Sequence, residues 1–219
     1  MSQSKKSSKK EIDNLSRSLS KLLRHKIDHY KLTDVLRPDG YVPLSRVLSL
    51  PMFTTKHTTV KHTTVVQIEQ TVHTNSKQRF SLSTFDDVLH IRANQGHSIA
   101  GLSDELMLNP ITITDASTTN LIAVHGTNEK NWMQIQNSGG LKKMGRKHVH
   151  LAEGYSSDKG VISGMRSTST VIIYVDVQKA IHAGLQFFRS ENGVILSPGV
   201  GEHGLISSLF FHHVVHIGA

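Results

Sequence analysis

Four apolar runs of strand length, all in the second half of the chain, limit what it can fold into more than any other feature. They are LIAVHG (121–126), HVHLA (148–152), TVIIYVDV (170–177) and NGVILS (192–197). Short runs of this kind, rich in β-branched residues and bounded by polar or glycine-containing text, belong in a sheet. One helix is expected among them, EKNWMQIQNSGG (129–140), with Trp132 and Ile135 three apart and glycines at its end. Ahead of the runs, LSDELMLNPITITDASTTN (102–120) reads as a polar connection holding one or two extended pieces. A mainly β domain over 101–219 is the expectation.

The first hundred residues differ. EIDNLSRSLSKLLRHK (11–26) spaces Ile12, Leu15, Leu19 and Leu22 by three and four, which makes one apolar helical face. Arg24 and His25 fall off that stripe near the helix end. RPDGYVP (37–43) is a turn into a short extended piece, and LSRVLSL (44–50) is a short helix. KHTTV occurs twice in tandem, at 56–60 and 61–65. A repeat this short suits a loop expansion better than a solenoid or a metal site at His57 and His62. Thr64 and Gln67 fit a capping box for a helix carrying Val65, Ile68 and Val72, and QRFSL (78–82) reads as a strand. Helices followed by a β-ribbon, all basic, resemble a winged-helix nucleic-acid module over 11–100. The fold class expected is α+β.

Charge points to the partner. The net charge is +8, and four lysines stand in residues 1–10, expected as a basic disordered tail. A basic body favours polyanions, because phosphate neutralisation releases counterions and steers association. The chain has no cysteine, which excludes disulfides and thiolate metal sites. No apolar run reaches bilayer length and the N-terminus lacks a signal peptide's apolar core, so an intracellular protein, cytoplasmic or nuclear, with no membrane partner is expected.

Candidate chemistry lies in a few short stretches. IRANQGHSIAG (91–101) sets an arginine, two amides, a glycine, a histidine and a serine between apolar stretches, at the expected boundary between domains. HGT (125–127) closes a strand and leads to a helix, where small residues let the backbone approach a ligand. In GRKHVHLA (145–152), His148 and His150 alternate along a strand and share a face. Two histidines could begin a zinc site, but Glu153 is the nearest carboxylate and further ligands are missing. Hydrogen bonding to a nucleotide explains the pair equally well, with Arg146 as a planar two-pronged phosphate donor. AGLQFFRSENGVILSPG (183–199) reads as a hairpin whose Phe187 or Phe188 could stack on a base or a nicotinamide.

LSKLLRH (19–25), IRANQGHS (91–98), HGT (125–127), GLKKMGRKHVHLA (140–152), SGMR (163–166) and FFRSENGVILSPG (187–199) occur together and in this order. The chain closely resembles the NAD-dependent RNA 2′-phosphotransferases, known in eukaryotes as tRNA 2′-phosphotransferases, from about residue 12 to about 211. The resemblance implies a winged-helix lobe followed by a lobe of the ADP-ribosyltransferase fold. It implies that an internal 2′-phosphate, left on RNA at a tRNA splice junction, attacks the NAD nicotinamide ribose and expels nicotinamide. The neighbouring ribose hydroxyl then attacks phosphorus, giving 2′-OH RNA and ADP-ribose 1″,2″-cyclic phosphate. The essential set it implies is Arg24, His25, Arg92 and Arg146. Arg24, His25 and Arg92 would orient the 2′-phosphate, and Arg146 would stabilise charge in the second step. NAD would meet Gln95, His97, Ser98, His125, Gly126, Thr127, Leu141, His148, His150, Phe188 and Asn192. The His-Tyr-Glu triad of better-known ADP-ribosyltransferases corresponds to His125, His150 and Val194. A glutamate there would repel an incoming phosphate, whereas valine does not. No metal is implied, and a monomer is expected.

Two departures stand out. The proline often found shortly after the LRH block is absent from KIDHYKL (26–32), and the KHTTV repeat occupies a loop of the winged lobe. Three rival readings remain at this point. They are a nucleic-acid-binding module with an inactive transferase lobe, an ADP-ribosyltransferase capping terminal phosphates of RNA or DNA, and a zinc-dependent nuclease using His148 and His150.

Overall fold

The computed structural model describes residues 2–54, 63–154 and 168–217, with side chains from residue 10 onward. The chain divides into two compact units, Met1–Met107 and Leu108–Ala219. The KHTTV repeat up to His62, with His57, and SGMR (163–166) lie outside the described residues.

The first unit begins with α1 (Ser2–His25). The helix thus runs through residues expected as a disordered tail; serine and lysine offer it no glycine or proline to stop at. Leu19 and Leu22 are fully buried and Leu23 nearly so, while Ile12 and Leu15 are half-buried. The predicted stripe therefore packs hardest toward its C-terminal end. Arg24 and His25 fill the last turn, where cations complement the carbonyl end of the helix dipole. After β1 (Val42–Pro43), α2 (Leu44–Leu48) and α3 (Pro51–Thr54) comes α4 (Val65–Thr74), and it starts on the predicted box: Thr64 Oγ1 accepts from Gln67 N and Gln67 Oε1 accepts from Thr64 N. Buried Ser16 ties α1 to the end of α4 by accepting from Asn75 Nδ2 at 3.1 Å.

β2 (Phe80–Phe85) and β3 (Val88–Ala93) form a hairpin, and β1 pairs with the far side of β3, in the order β1-β3-β2. Gln78, placed in the expected strand, has φ of +42°, so the strand starts two residues later. The Asp86–Asp87 turn has positive φ at both residues, the mirror-image geometry that matches strand twist. Residues 101–107 attach to this unit rather than the next. Ser103 N donates to Pro38 O, and the short helix α5 (Asp104–Met107) buries Met107.

The second unit opens with β4 (Leu108–Pro110) and α6 (Ile113–Thr119), where a connection with extended pieces was expected. Thr112 and Asp115 form a capping box, and the hydroxyls of Ser117, Thr118 and Thr119 donate to the carbonyls four residues back. The capping box offsets the poor propensity of this run, while the hydroxyls satisfy themselves on the helix's own carbonyls. The remaining elements are β5 (Ile122–Thr127), α7 (Glu129–Asn137), β6 (Gly140–Lys142), β7 (Val149–Gly154), β8 (Val171–Asp176), α8 (Val177–His182), β9 (Phe188–Ser190), β10 (Ile195–Ser197), β11 (Leu205–Ser207) and β12 (Phe211–His216). Among the described residues they give an antiparallel seven-stranded sheet, β12-β8-β5-β7-β10-β9-β4, and a β6–β11 pair. The predicted runs supply β5, β7, β8 and β10. The last starts three residues late because Gly193 turns with φ of +77°. The core gathers Leu121, Leu141, Leu151, Ile173, Phe187, Ile195 and Ile206, and Trp132 and Ile135 of α7 pack on it.

On β12, His213 stacks on Tyr174 with ring centroids 4.0 Å apart and 16° between planes. Burial, and after it the neighbouring His212, holds the His213 imidazole below its ordinary value. The folded chain therefore prefers the neutral ring, and the unfolded chain takes the proton more readily. This contribution is intact at neutral pH and is lost as the pH falls through the ordinary histidine range. An NMR titration should find the His213 midpoint below 6.5, whereas a midpoint at or above it would contradict this packing.

Candidate active site

In the first unit the LLRH and RANQGHS blocks, far apart in sequence, are bonded together. Ser98 N donates to Arg24 O at 2.9 Å, and Ser98 Oγ lies 2.9 Å from His25 Nδ1. Between them Gly96 turns with φ of +88°, and a Cβ there would stand 3.3 Å from Arg24 Nη1. The glycine therefore lets the loop lie against the arginine side chain, which a larger residue would displace. His97 is buried, Gln95 half-buried and Ser98 exposed.

Arg92 lies on β3 just ahead of this loop. Its Nη1 donates to Asp39 O at 3.1 Å, and its guanidinium carbon is 4.7 Å from the Tyr41 ring centroid. Asn94, two residues on, is buried and doubly engaged, accepting from Ser81 Oγ and donating to Gln78 O. That pinning fixes where the loop departs from the strand. Asn94 is one of the residues that sequence reasoning passed over.

In the second unit the sheet opens at the candidate site. β5 pairs with β8 along its whole length, from Ile122↔Asp176 to Thr127↔Val171, but with β7 only from Ile122↔Gly154 to Val124↔Ala152. Beyond Val124 the two strands part, with His125, Gly126 and Thr127 on one lip and His148 to Leu151 on the other. His125 spans the parting, its Nδ1 donating to His150 O at 3.1 Å. His150 Nδ1 donates in turn to His148 O at 3.0 Å. A carbonyl can only accept, so both rings carry their proton on Nδ1, and in the neutral form Nε2 is the acceptor nitrogen.

His148 is buried and meets Phe188 edge-on, with centroids 6.3 Å apart. Leu196 pairs with both His150 and Phe188, so register puts these three on one face of the sheet, and the ring contact brings His148 to Phe188 there. Phe187 points the other way and is core, so of the two candidate stacking rings only Phe188 belongs to this face. Asn192 sits in the hairpin turn, where its Oδ1 accepts from buried Ser190 Oγ at 2.8 Å. Val194 N also donates to that hydroxyl.

Glu153, the carboxylate nearest the histidine pair in sequence, forms a bidentate ion pair with Arg189. Among the described residues no group of three or more His, Asp or Glu side chains is placed to hold a metal. No described helix is long and apolar enough to cross a membrane.

Comparison with known proteins decides the family. The profile of the RNA 2′-phosphotransferase, Tpt1/KptA family matches residues 9–199. The chain belongs to this family. Named relatives are similar along most of its length. The putative tRNA 2′-phosphotransferase of Schizosaccharomyces pombe is 40% identical over 91% of this chain and half of its own length. tRNA 2′-phosphotransferase 1 of Mus musculus is 42% identical over 90% of this chain and 74% of its own. The tRNA 2′-phosphotransferase of Saccharomyces cerevisiae is 41% identical over 85% of this chain and 78% of its own.

Within this member of the RNA 2′-phosphotransferases the expected site residues fall into two sets, one in each unit. The structure bonds together Arg24, His25 and Ser98 in the first, with Gly96 turning close to the Arg24 side chain. In the second it gathers His125, His148, His150 and Phe188. Two expected residues stand apart. Leu141 is buried in the core on β6, paired with Ile206, so its side chain serves packing. Arg146 is exposed in a turn closed by its own N–H on Lys143 O.

Proposed function

We propose that this RNA 2′-phosphotransferase removes an internal 2′-phosphate from RNA and transfers it to NAD, and that spliced tRNA is its substrate. The observation that carries the reading is the bonding of the LLRH helix end to the RANQGHS loop. It makes one polar group from a helix end that the family resemblance gives to the 2′-phosphate (Arg24, His25) and a loop that it gives to both substrates, Arg92 to the phosphate and Gln95, His97 and Ser98 to NAD. In support of a winged-helix first unit stand α1 to α4 with the β2–β3 hairpin. In support of an ADP-ribosyltransferase-like second unit stands an antiparallel sheet opened between two central strands at HGT and KHVH.

In the first step a 2′-phosphate oxygen bonds to the anomeric carbon of the nicotinamide ribose, and nicotinamide leaves with the bonding electrons. Arg24, His25 and Arg92 orient the phosphate; guanidinium groups stay charged and grip two oxygens. In the second step the adjacent ribose hydroxyl attacks phosphorus, the RNA 2′-oxygen leaves and takes up a proton, and the cyclic phosphate closes. Arg146 stabilises the charge that builds up there. Gln95, His97, Ser98, the His125–Thr127 lip, His148, His150, Phe188 and Asn192 hold NAD. In their neutral form His125 and His150 would present Nε2 as acceptor to a ribose hydroxyl, since each gives its Nδ1 proton to a main-chain carbonyl. The reading gives no step to a metal.

The test is a product analysis with NAD and a short RNA bearing one internal 2′-phosphate. A 2′-OH RNA together with ADP-ribose 1″,2″-cyclic phosphate is expected, and nicotinamide release should depend on the internal phosphate. Equal release with an RNA carrying only a terminal phosphate would favour a capping transferase instead.

A further inference from the structure

RPDGY (37–41) has no part in the reaction just described, yet its groups converge on Arg92. Gly40, with φ of +83°, allows a tight turn in which Gly40 N donates to Arg37 O and Arg37 N to Tyr41 O, each at 2.9 Å. Inside the turn Arg37 grips the Asp39 carboxylate through Nε at 3.2 Å and Nη2 at 3.1 Å. Arg37 also lies over the Phe85 ring at 3.9 Å, and Phe85 meets Tyr41 edge-on at 5.3 Å. The turn is thus braced from both ends. Onto this brace Arg92 docks twice, by the hydrogen bond to Asp39 O and by the Tyr41 ring beneath its guanidinium.

We propose that the Arg37–Tyr41 turn is the positioning device for Arg92, with Tyr41 setting the plane of its guanidinium for the RNA 2′-phosphate. The proposal rests on the phosphate-binding role given to Arg92 above. An arginine on a strand has a long flexible stem, and a planar fork grips two phosphate oxygens only when its plane is set in advance. A carbonyl on one edge and a ring on one face set that plane without neutralising the charge. A carboxylate in the carbonyl's place would cancel it. In this turn the Asp39 carboxylate is held by Arg37, and the main-chain oxygen of Asp39 accepts from Arg92.

The experiment is a double-mutant cycle read by the single-turnover rate of nicotinamide release with 2′-phosphorylated RNA. Tyr41→Phe keeps the ring and should stay within about twofold of wild type, while Tyr41→Leu should slow the first step about tenfold without changing NAD binding. In an Arg92→Lys background, where a compact ammonium has no plane to set, the loss from Tyr41→Leu should shrink to less than about twofold. Equal losses in both backgrounds would mean that Tyr41 acts only on the fold, and would overturn the proposal. So would a Tyr41→Phe chain as slow as Tyr41→Leu. Should the leucine chain not fold, Tyr41→Met replaces it in the same cycle with the same expectations. An Arg92→Ala chain that performs the first step at the wild-type rate would remove the Arg92 role and the positioning role together. A defective Arg92→Ala chain beside additive Tyr41 effects would remove the positioning role alone.

Discussion

Arg146→Ala should leave the first step close to its normal rate and make ADP-ribosylated RNA accumulate. The reason lies in where the charge builds up. In the proposed reaction nicotinamide departure neutralises the pyridinium, and the incoming 2′-phosphate would be held by Arg24, His25 and Arg92. In the second step phosphorus gains a fifth oxygen, and its added negative charge needs a donor of its own. Arg146 stands on an exposed turn two residues before His148, so its removal disturbs no packing. Losing one such donor costs on the order of 10²–10³ in rate. Rapid-quench separation of substrate, intermediate and product would show the intermediate as the dominant species. If both steps slow equally and no intermediate appears, Arg146 serves binding only.

Gly140→Ala should cost the second unit about 3 kcal/mol, a fall of about 10 °C in melting temperature. Gly140 pairs with Ser207 across the β6–β11 ladder. A Cβ there would stand 2.9 Å from both the Ile206 carbonyl carbon and Ser207 Cα, and closer still to the Ile206 oxygen. All three atoms are main chain, so relief requires the two strands to separate. Separation would withdraw Leu141 and Ile206, both core residues. Neighbouring glycines supply controls. Gly139 has φ of +76° with nothing within 4 Å, so alanine there meets only backbone strain, about 1 kcal/mol. Gly145 has open space and no positive φ, and alanine there should be neutral to within about 0.5 kcal/mol. Thermal melts that rank the three otherwise would refute this account.

The strands of the second unit were legible because their apolar runs are short and rich in β-branched residues, as in TVIIYVDV. β12 was not, because FHHVVH mixes histidines into the pattern, and only stacking on Tyr174 shows what His213 does there. α6 escaped because threonine and serine propensities argue against a helix; its Thr112–Asp115 box was present in the sequence and could have been found. The site shows the same division. HGT and KHVH could be picked out as blocks, but the place where β5 and β7 part depends on register between strands some 25 residues apart, which no local pattern encodes. Phe187 and Phe188 could not be told apart until pairing with Leu196 fixed which of them shares a face with His150. Tyr41 left no trace in the sequence of its contact with Arg92, because that contact joins a turn and a strand fifty residues apart.

The parting of β5 from β7 also divides the large sheet mechanically. β12, β8 and β5 form one blade and β7, β10, β9 and β4 another, joined by three residue pairs, Ile122↔Gly154, Ala123↔Glu153 and Val124↔Ala152. The spacing of the two lips is therefore set at a joint that holds none of the proposed ligand-binding residues. Two of the six residues in that joint are alanines and one is glycine, and their small size lets the blades close tightly there. Bulk introduced at Ala152 would act like a shim, splaying the gap between His125 and His150 from a distance and changing what fits without touching any residue that holds it.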